Sequence, residues 1–164
     1  MEKLDEYGPP MNLRENIETF LIKESALLDD NDFETWLACF TKDCWYWVPS
    51  QIGQKDPFQT VSIIYDDRKL LETRVRRLNN GQMHAGLPNT SRIIGNLFIE
   101  SEEDDFVITR SKFMMAEYRF DRRRDFAGTI FHGLQKGKTG FQINWKKVEL
   151  IDCQSALEGI TVPF

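Results

Sequence analysis

Leu13, Ile17, Phe20, Leu21, Leu27 and Leu28 recur at spacings of three, four and seven, so one apolar stripe predicts a helix over residues 13–28. Asn12 before it and Glu15 three positions on form a capping pair at its start. Glu24 interrupts the stripe. A second, short helix is predicted over residues 32–40, with Phe33, Trp36, Leu37 and Phe40 on its apolar face and Asn31 with Glu34 as its cap. Residues 44–48 are rich in aromatics and read as a strand that Pro49 ends, because proline cannot donate to a ladder. Residues 51–59 contain Gly53 and Pro57 and read as a loop. A third helix is predicted over residues 67–78, with Leu70, Leu71, Val75 and Leu78 as its buried stripe. Asp66 or Asp67 caps its start, and residues 79–81 form a left-handed stop.

From residue 91 onward the period changes to two. Strands are predicted over residues 91–100, 106–120, 126–135 and 141–153. Phe141, Ile143 and Trp145 alternate with polar neighbours, which predicts one wetter sheet face. Residues 101–105 form an acidic turn, and residues 136–140, with Gly137 and Gly140, a hairpin loop. Arg122-Arg123-Arg124, flanked by Asp121 and Asp125, reads as a solvated turn, or else as a contact for a phosphate or a partner's carboxylate. Helices followed by meandering strands define an α+β domain. Long antiparallel strands twist, and here they are expected to curl around the helices into a cone with a pocket inside.

Composition narrows the functional classes. The chain has 164 residues, 41% of them hydrophobic and 29% charged, which suits one globular domain over residues 1–164. A net charge of −5 argues against nucleic acid as a partner, since phosphate binding needs clustered Lys and Arg. The first residues lack the pattern of a signal peptide and no apolar run is long enough to span a bilayer, so the expected location is the cytoplasm, with no membrane partner. Three cysteines, an odd number, fit free thiols in a reducing compartment.

Redox centres are hard to build from this chain. It has two histidines, His84 and His132, and none of Cys39, Cys44 or Cys153 has a histidine close by in sequence. A Rieske cluster needs two Cys and two His on one pair of irons, and a mononuclear iron site needs two His and a carboxylate. Cys39 and Cys44 have no second pair with which to make a zinc site. No P-loop, dinucleotide fingerprint or nucleophile elbow is present. One acid–base possibility stays open. His132 lies two residues from both Ile130 and Leu134, so all three share a strand face. His132 is then either a hydrogen-bonded core residue or a general acid or base in the cone, with Asp43, Tyr46 or Glu24 as its partner. The second option describes a stand-alone small-molecule dehydratase or isomerase.

Four stretches carry a family resemblance. They are Glu24-Ser-Ala-Leu-Leu-Asp-Asp with Phe33-Glu-Thr-Trp-Leu; Asp43-Cys-Trp-Tyr-Trp-Val-Pro; the run from Ile64 to Leu78, continuing through Pro88-Asn-Thr-Ser-Arg to Asn96; and Val148-Glu-Leu-Ile-Asp-Cys-Gln, closing on Thr161-Val-Pro-Phe. In this order and spacing they resemble the β subunits of aromatic-ring-hydroxylating dioxygenases from about residue 15 to residue 164. The resemblance implies a cone like that of nuclear transport factor 2 (NTF2) or cystatin, with a curled mixed-to-antiparallel sheet wrapped by three helices of the N-terminal half. It implies a mainly structural subunit that has no catalytic, cofactor or metal residue of its own and trimerises within an α3β3 hexamer. The large subunit would hold the Rieske 2Fe-2S cluster and mononuclear Fe(II). Electrons would come from NAD(P)H through a reductase, and O2 would be added to a ring to give a cis-dihydrodiol. Residues expected at the subunit interface are Trp45, Trp47, Tyr65, Asp66, Arg68, Arg77 and Arg92. Arg forks and aromatics anchor interfaces, and Trp45, Tyr46 and Trp47 in succession cannot all face one core. Pro88-Asn-Thr-Ser-Arg stands where relatives often have Pro-Pro-Ser-Arg, which leaves the ring substrate open.

Overall fold

The structure, a computed structural model, describes residues 12–80 and 86–164. Its elements run α1 (Leu13–Asp29), α2 (Phe33–Ala38), β1 (Phe40–Val48), β2 (Ile64–Asp67), α3 (Arg68–Asn79), β3 (Asn89–Glu102), β4 (Phe106–Arg119), β5 (Arg122–Lys136) and β6 (Phe141–Leu150). The strands form one six-stranded sheet in the order β2-β1-β6-β5-β4-β3. β1 runs parallel to β6 and every other pair is antiparallel, so the sheet is mixed. α1 lies against β3, α3 lies against β1 and β2, and α2 packs between the two longer helices.

Local chemistry explains the helix ends. Asn12 accepts from the Glu15 amide and Glu15 reaches back to the Asn12 amide, closing a capping box. Asn31 does not cap α2. It sits at φ 57°, in the left-handed position just past α1, where its amide donates to Leu28 O and the Asp32 amide donates to Leu27 O. That pair of bonds is the Schellman arrangement, so Asn31 ends one helix and Asp32 caps the next through the Thr35 amide. Asp67 caps α3. Asn80 follows it at φ −84°, so Asn80 supplies no left-handed stop, and Gly81 lies outside the described residues.

Several expectations are corrected in the sheet. Arg122, Arg123 and Arg124 open β5 rather than forming a turn. The turn is Phe120–Asp121, both at positive φ, joining the paired residues Arg119 and Arg122. The second correction concerns β6. Phe141, Ile143 and Trp145 do not share a face, because the register shifts between Gly133 and Leu134 on β5 and between Phe40 and Trp45 on β1. One extra residue inverts the alternation. Ile143 faces the core, but so do Lys146, Val148 and Leu150, and Trp145 turns to the outer face. There its indole lies over Gly133, where an added Cβ would come within 2.1 Å of Trp145 Nε1. β2 has no counterpart among the predicted elements, and β6 ends at Leu150 rather than at residue 153.

A buried polar row and an aromatic outer face

Strand register lines up five polar side chains across the inner face. Thr109 on β4 pairs with His132 on β5, His132 with Lys146 on β6, Lys146 with Tyr46 on β1, and Tyr46 with Asp66 on β2. Apolar residues flank the row, with Val107, Leu134 and Ile143 on one side and Ile130 and Val148 on the other. Glu24 descends onto it from α1. Its carboxylate accepts from Lys146 Nζ at 2.5 Å, from Trp36 Nε1 at 2.9 Å and from His132 Nε2 at 3.2 Å. Since a carboxylate only accepts, His132 carries its proton on Nε2. None of these four residues is more than 1% exposed.

The charges follow from this packing. Burial alone pushes Glu24 up, but the Lys146 ammonium and the hydrogen bonds from His132 and Lys146 outweigh it and hold the carboxyl well below the usual range. Burial pushes His132 down and outweighs the pull of Glu24, with the neighbouring Lys146 charge adding to the downward push. Burial also lowers Lys146, against the pull of Glu24. The cluster therefore holds one ion pair, Glu24 with Lys146, and a neutral imidazole. Tyr46 is pushed well above its usual value by burial, and its hydroxyl accepts from the Phe164 amide at 3.0 Å. His132 Nδ1, Thr109 Oγ1 and Ser111 Oγ have no hydrogen-bond partner among the described residues.

Of the three partners expected for His132, the fold brings Glu24 to it. Tyr46 stands in the same row but points its hydroxyl at the C-terminal segment. Asp43 is excluded by alternation: it projects to the face opposite Tyr46, is exposed, and accepts from Asn144 Nδ2. The sequence reading missed Lys146, since only the β6 register shift turns it inward. A general acid or base must reach its substrate, whereas here the carboxylate and the imidazole Nε2 are tied to each other and sealed from solvent. That geometry counts against the dehydratase option.

Nor do the described residues fit an iron centre. Among them, no three His, Cys, Asp or Glu side chains gather where they could share a metal ion. Cys39, Cys44 and Cys153 are pushed up by burial, which favours the thiol over the ligating thiolate. His84 lies outside the described residues.

Four of the seven residues expected at a subunit interface are engaged within the chain. Trp47 is 3% exposed. Its Nε1 donates to Ser62 Oγ, and Lys147 caps its ring at 4.8 Å while donating to Gln54 O, so the loop after β1 covers it. Asp66 faces inward and takes a two-point contact from Arg74 at 2.6 and 3.2 Å. Arg68 donates to the carbonyls of Leu37 and Phe40 and to Glu72, tying the turn before β1 to α3. The Arg92 side chain is 2% exposed and clamps Asp29 and the Pro163 carbonyl. The other three face outward. Arg77 is exposed, Tyr65 is 36% exposed, and half-buried Trp45 stacks on Trp145 with centroids 5.1 Å apart and planes 5° from parallel. Trp145 and the exposed Phe58, which packs edge-on against Tyr65, extend this aromatic face and were not anticipated.

Helices on one face of a curled mixed sheet define the class of fold. An NTF2-like protein with a cystatin-like fold from Novosphingobium aromaticivorans superimposes with a TM-score of 0.60 at 15% identity, covering 85% of this chain and 82% of that one. The family is more specific. The model for the ring hydroxylating beta subunit matches residues 23–155. The 2-halobenzoate 1,2-dioxygenase small subunit of Burkholderia cepacia is 31% identical over 142 residues, 82% of this chain and 86% of the relative. The beta subunit of the benzoate 1,2-dioxygenase from Burkholderia mallei superimposes with a TM-score of 0.73 at 28% identity, covering 88% and 94% of the two chains. The chain belongs to the ring-hydroxylating dioxygenase β-subunit family. Among the described residues no helix is long and apolar enough to cross a membrane.

Proposed function

We propose that this chain is a cytoplasmic, non-catalytic subunit that props up a large subunit of a ring-hydroxylating dioxygenase. The large subunit holds the Rieske cluster and mononuclear iron, takes electrons from NAD(P)H through a reductase, and adds both atoms of O2 to an aromatic ring to give a cis-dihydrodiol. The assembly is an α3β3 hexamer in which the small subunits also contact one another. One observation carries the reading: Glu24, His132 and Lys146, the acid–base cluster of the inner face, are sealed from solvent and tied to one another through the Glu24 carboxylate, so the interior does the work of a core. Membership of the β-subunit family supports the same reading. The contact with other subunits is assigned to the outer face, where Trp45, Tyr65, Phe58 and Trp145 form a contiguous aromatic surface. Contiguous apolar surface of this kind marks an interaction site.

Co-expression with the large subunit from a neighbouring reading frame tests this. The chain alone is expected to be colourless and iron-free and to consume no O2. The co-purified complex is expected to carry iron and to turn over an aromatic substrate. Stoichiometric iron in the isolated chain, or oxygen uptake by it unaided, refutes the proposal.

A further inference from the structure

The hairpin that replaces the expected arginine turn carries a feature unrelated to the aromatic face. Between the tip of β4–β5 and the C-terminal segment lies a depression of about 270 Å³, lined by Arg119, Phe120, Arg122, Arg124, Glu117, Glu158, Gly159 and Thr161. Three guanidinium groups therefore meet two carboxylates. Both carboxylates are claimed by two of the arginines: Arg124 takes Glu117 at 2.6 Å, and Arg122 takes Glu158 at 2.9 Å. Arg119 has no carboxylate partner among the described residues. Its Nη1 makes one long bond, 3.4 Å, to Thr161 Oγ1, and its buried Nε has no acceptor. Arginine presents a planar fork shaped for a carboxylate, and this fork is unfilled.

The neighbouring residue adds an independent observation. Phe120 sits at φ 53° and is 70% exposed. Bulky side chains rarely adopt this left-handed backbone, and two-residue hairpin turns of this kind favour Asn-Gly or Asp-Gly. A strained, solvent-facing phenylalanine does nothing for the core. It does place a ring 4.5 Å from the Arg119 guanidinium, at the rim of the same depression. Strain held in place by its surroundings clusters at functional positions.

We propose that this depression binds a carboxylate carried on an aromatic ring, with Arg119 and Thr161 taking the carboxylate and Phe120 packing against the ring. The volume lies just under the ~300–1,000 Å³ typical of pockets for drug-sized ligands, which suits a molecule of one ring. The carboxylate comes either from a free aromatic acid or from an acidic group that a partner subunit presents beside an apolar one.

Titration of the full chain with sodium benzoate, followed by NMR, tests the shared chemistry, with acetate and benzyl alcohol as controls that lack the ring or the charge. Saturable benzoate binding is expected, at least several-fold tighter than either control. Arg119→Gln is expected to weaken it ten-fold or more, and Phe120→Gly several-fold. Glu158→Gln, which frees Arg122 to attract an anion and leaves Arg124 paired with Glu117, is expected to tighten it, a gain that a damaged fold would not produce. Repeating the titration on the assembled complex separates the sources. Binding that persists marks a site for the free acid. Binding that is blocked, together with weaker assembly of the Arg119→Gln chain, marks a partner's carboxylate. No saturable binding to the parent chain, or equal binding by parent and Arg119→Gln, overturns the proposal.

Discussion

Replacing Lys146 by methionine removes the cation of the buried cluster while keeping most of its volume. Glu24 would then be left fully buried, with only the Trp36 and His132 hydrogen bonds to hold its charge. Removing one partner of a buried ion pair costs about 3–5 kcal/mol. That is a large share of the ~5–15 kcal/mol that holds a domain folded, and for a chain of this size it corresponds to a fall in melting temperature of about 6–20 °C. The pH dependence makes the test specific. In the parent, Glu24 is held below its unfolded value of about 4.3, so its contribution is fully present above that pH and is lost as the pH falls further. In Lys146→Met only the Trp36 and His132 hydrogen bonds oppose the burial effect, and the folded carboxyl is expected to rise above the unfolded value. The variant then recovers stability as the pH falls through that raised value, because a proton neutralises the stranded charge. Urea unfolding followed by tryptophan fluorescence at pH 8 and pH 5 should show a large deficit at pH 8 that narrows at pH 5. A double variant, Glu24→Gln with Lys146→Met, removes both charges and should regain at least half of the loss. A deficit below about 1 kcal/mol at pH 8, or one that does not change with pH, would refute the assigned charge states.

Other consequences follow from the same contacts. Arg92→Met should cost roughly 3 kcal/mol, since it leaves Asp29 without its cation, held only by Thr90 and the backbone amide of residue 92, and leaves the Pro163 carbonyl without this donor; thermal melts check this. Gly133→Ala should cost about 1–3 kcal/mol, because the new methyl occupies the place of the Trp145 indole. Loss of the near-ultraviolet circular dichroism of the Trp45–Trp145 stack is its signature. Tyr65→Ala should leave the melting temperature of the free chain within a few degrees of the parent while weakening co-purification with the large subunit by about ten-fold, as expected of an interface aromatic; an unchanged complex would remove Tyr65 from the contact surface.

Much of the architecture was readable because local signals and tertiary demands agree. The capping box at Asn12 and Glu15 and the stripe from Ile17 to Leu28 mark α1 within a residue, and strict alternation finds β4 and β5. His132 was placed inward from its neighbours Ile130 and Leu134, and Glu24 stood out as a charge in an apolar stripe. The two halves of the cluster were thus visible separately, though not their contact. Lys146 was invisible, since an extra residue in β6, Asn144, left unpaired against β5, decides which way it points and strict alternation predicts the opposite. β2 is four residues long and leaves almost no periodic signal. The Phe120–Asp121 turn lacks the glycine or asparagine that advertises a hairpin. Trp47 seemed to need a partner, yet a loop whose position no local pattern encodes covers it.

β3 lies at one border of the sheet. A border strand that long and regular would be a template on which copies of the chain could add strands without limit. Its pairing with β4 is broken after Gly95 and again after Ile99, with Asn96 at φ 51° between the two straight stretches. Each break twists the strand and halts the flat run that an incoming chain would have to match. These two irregularities should keep the free subunit from polymerising into fibres while it waits for its assembly partners.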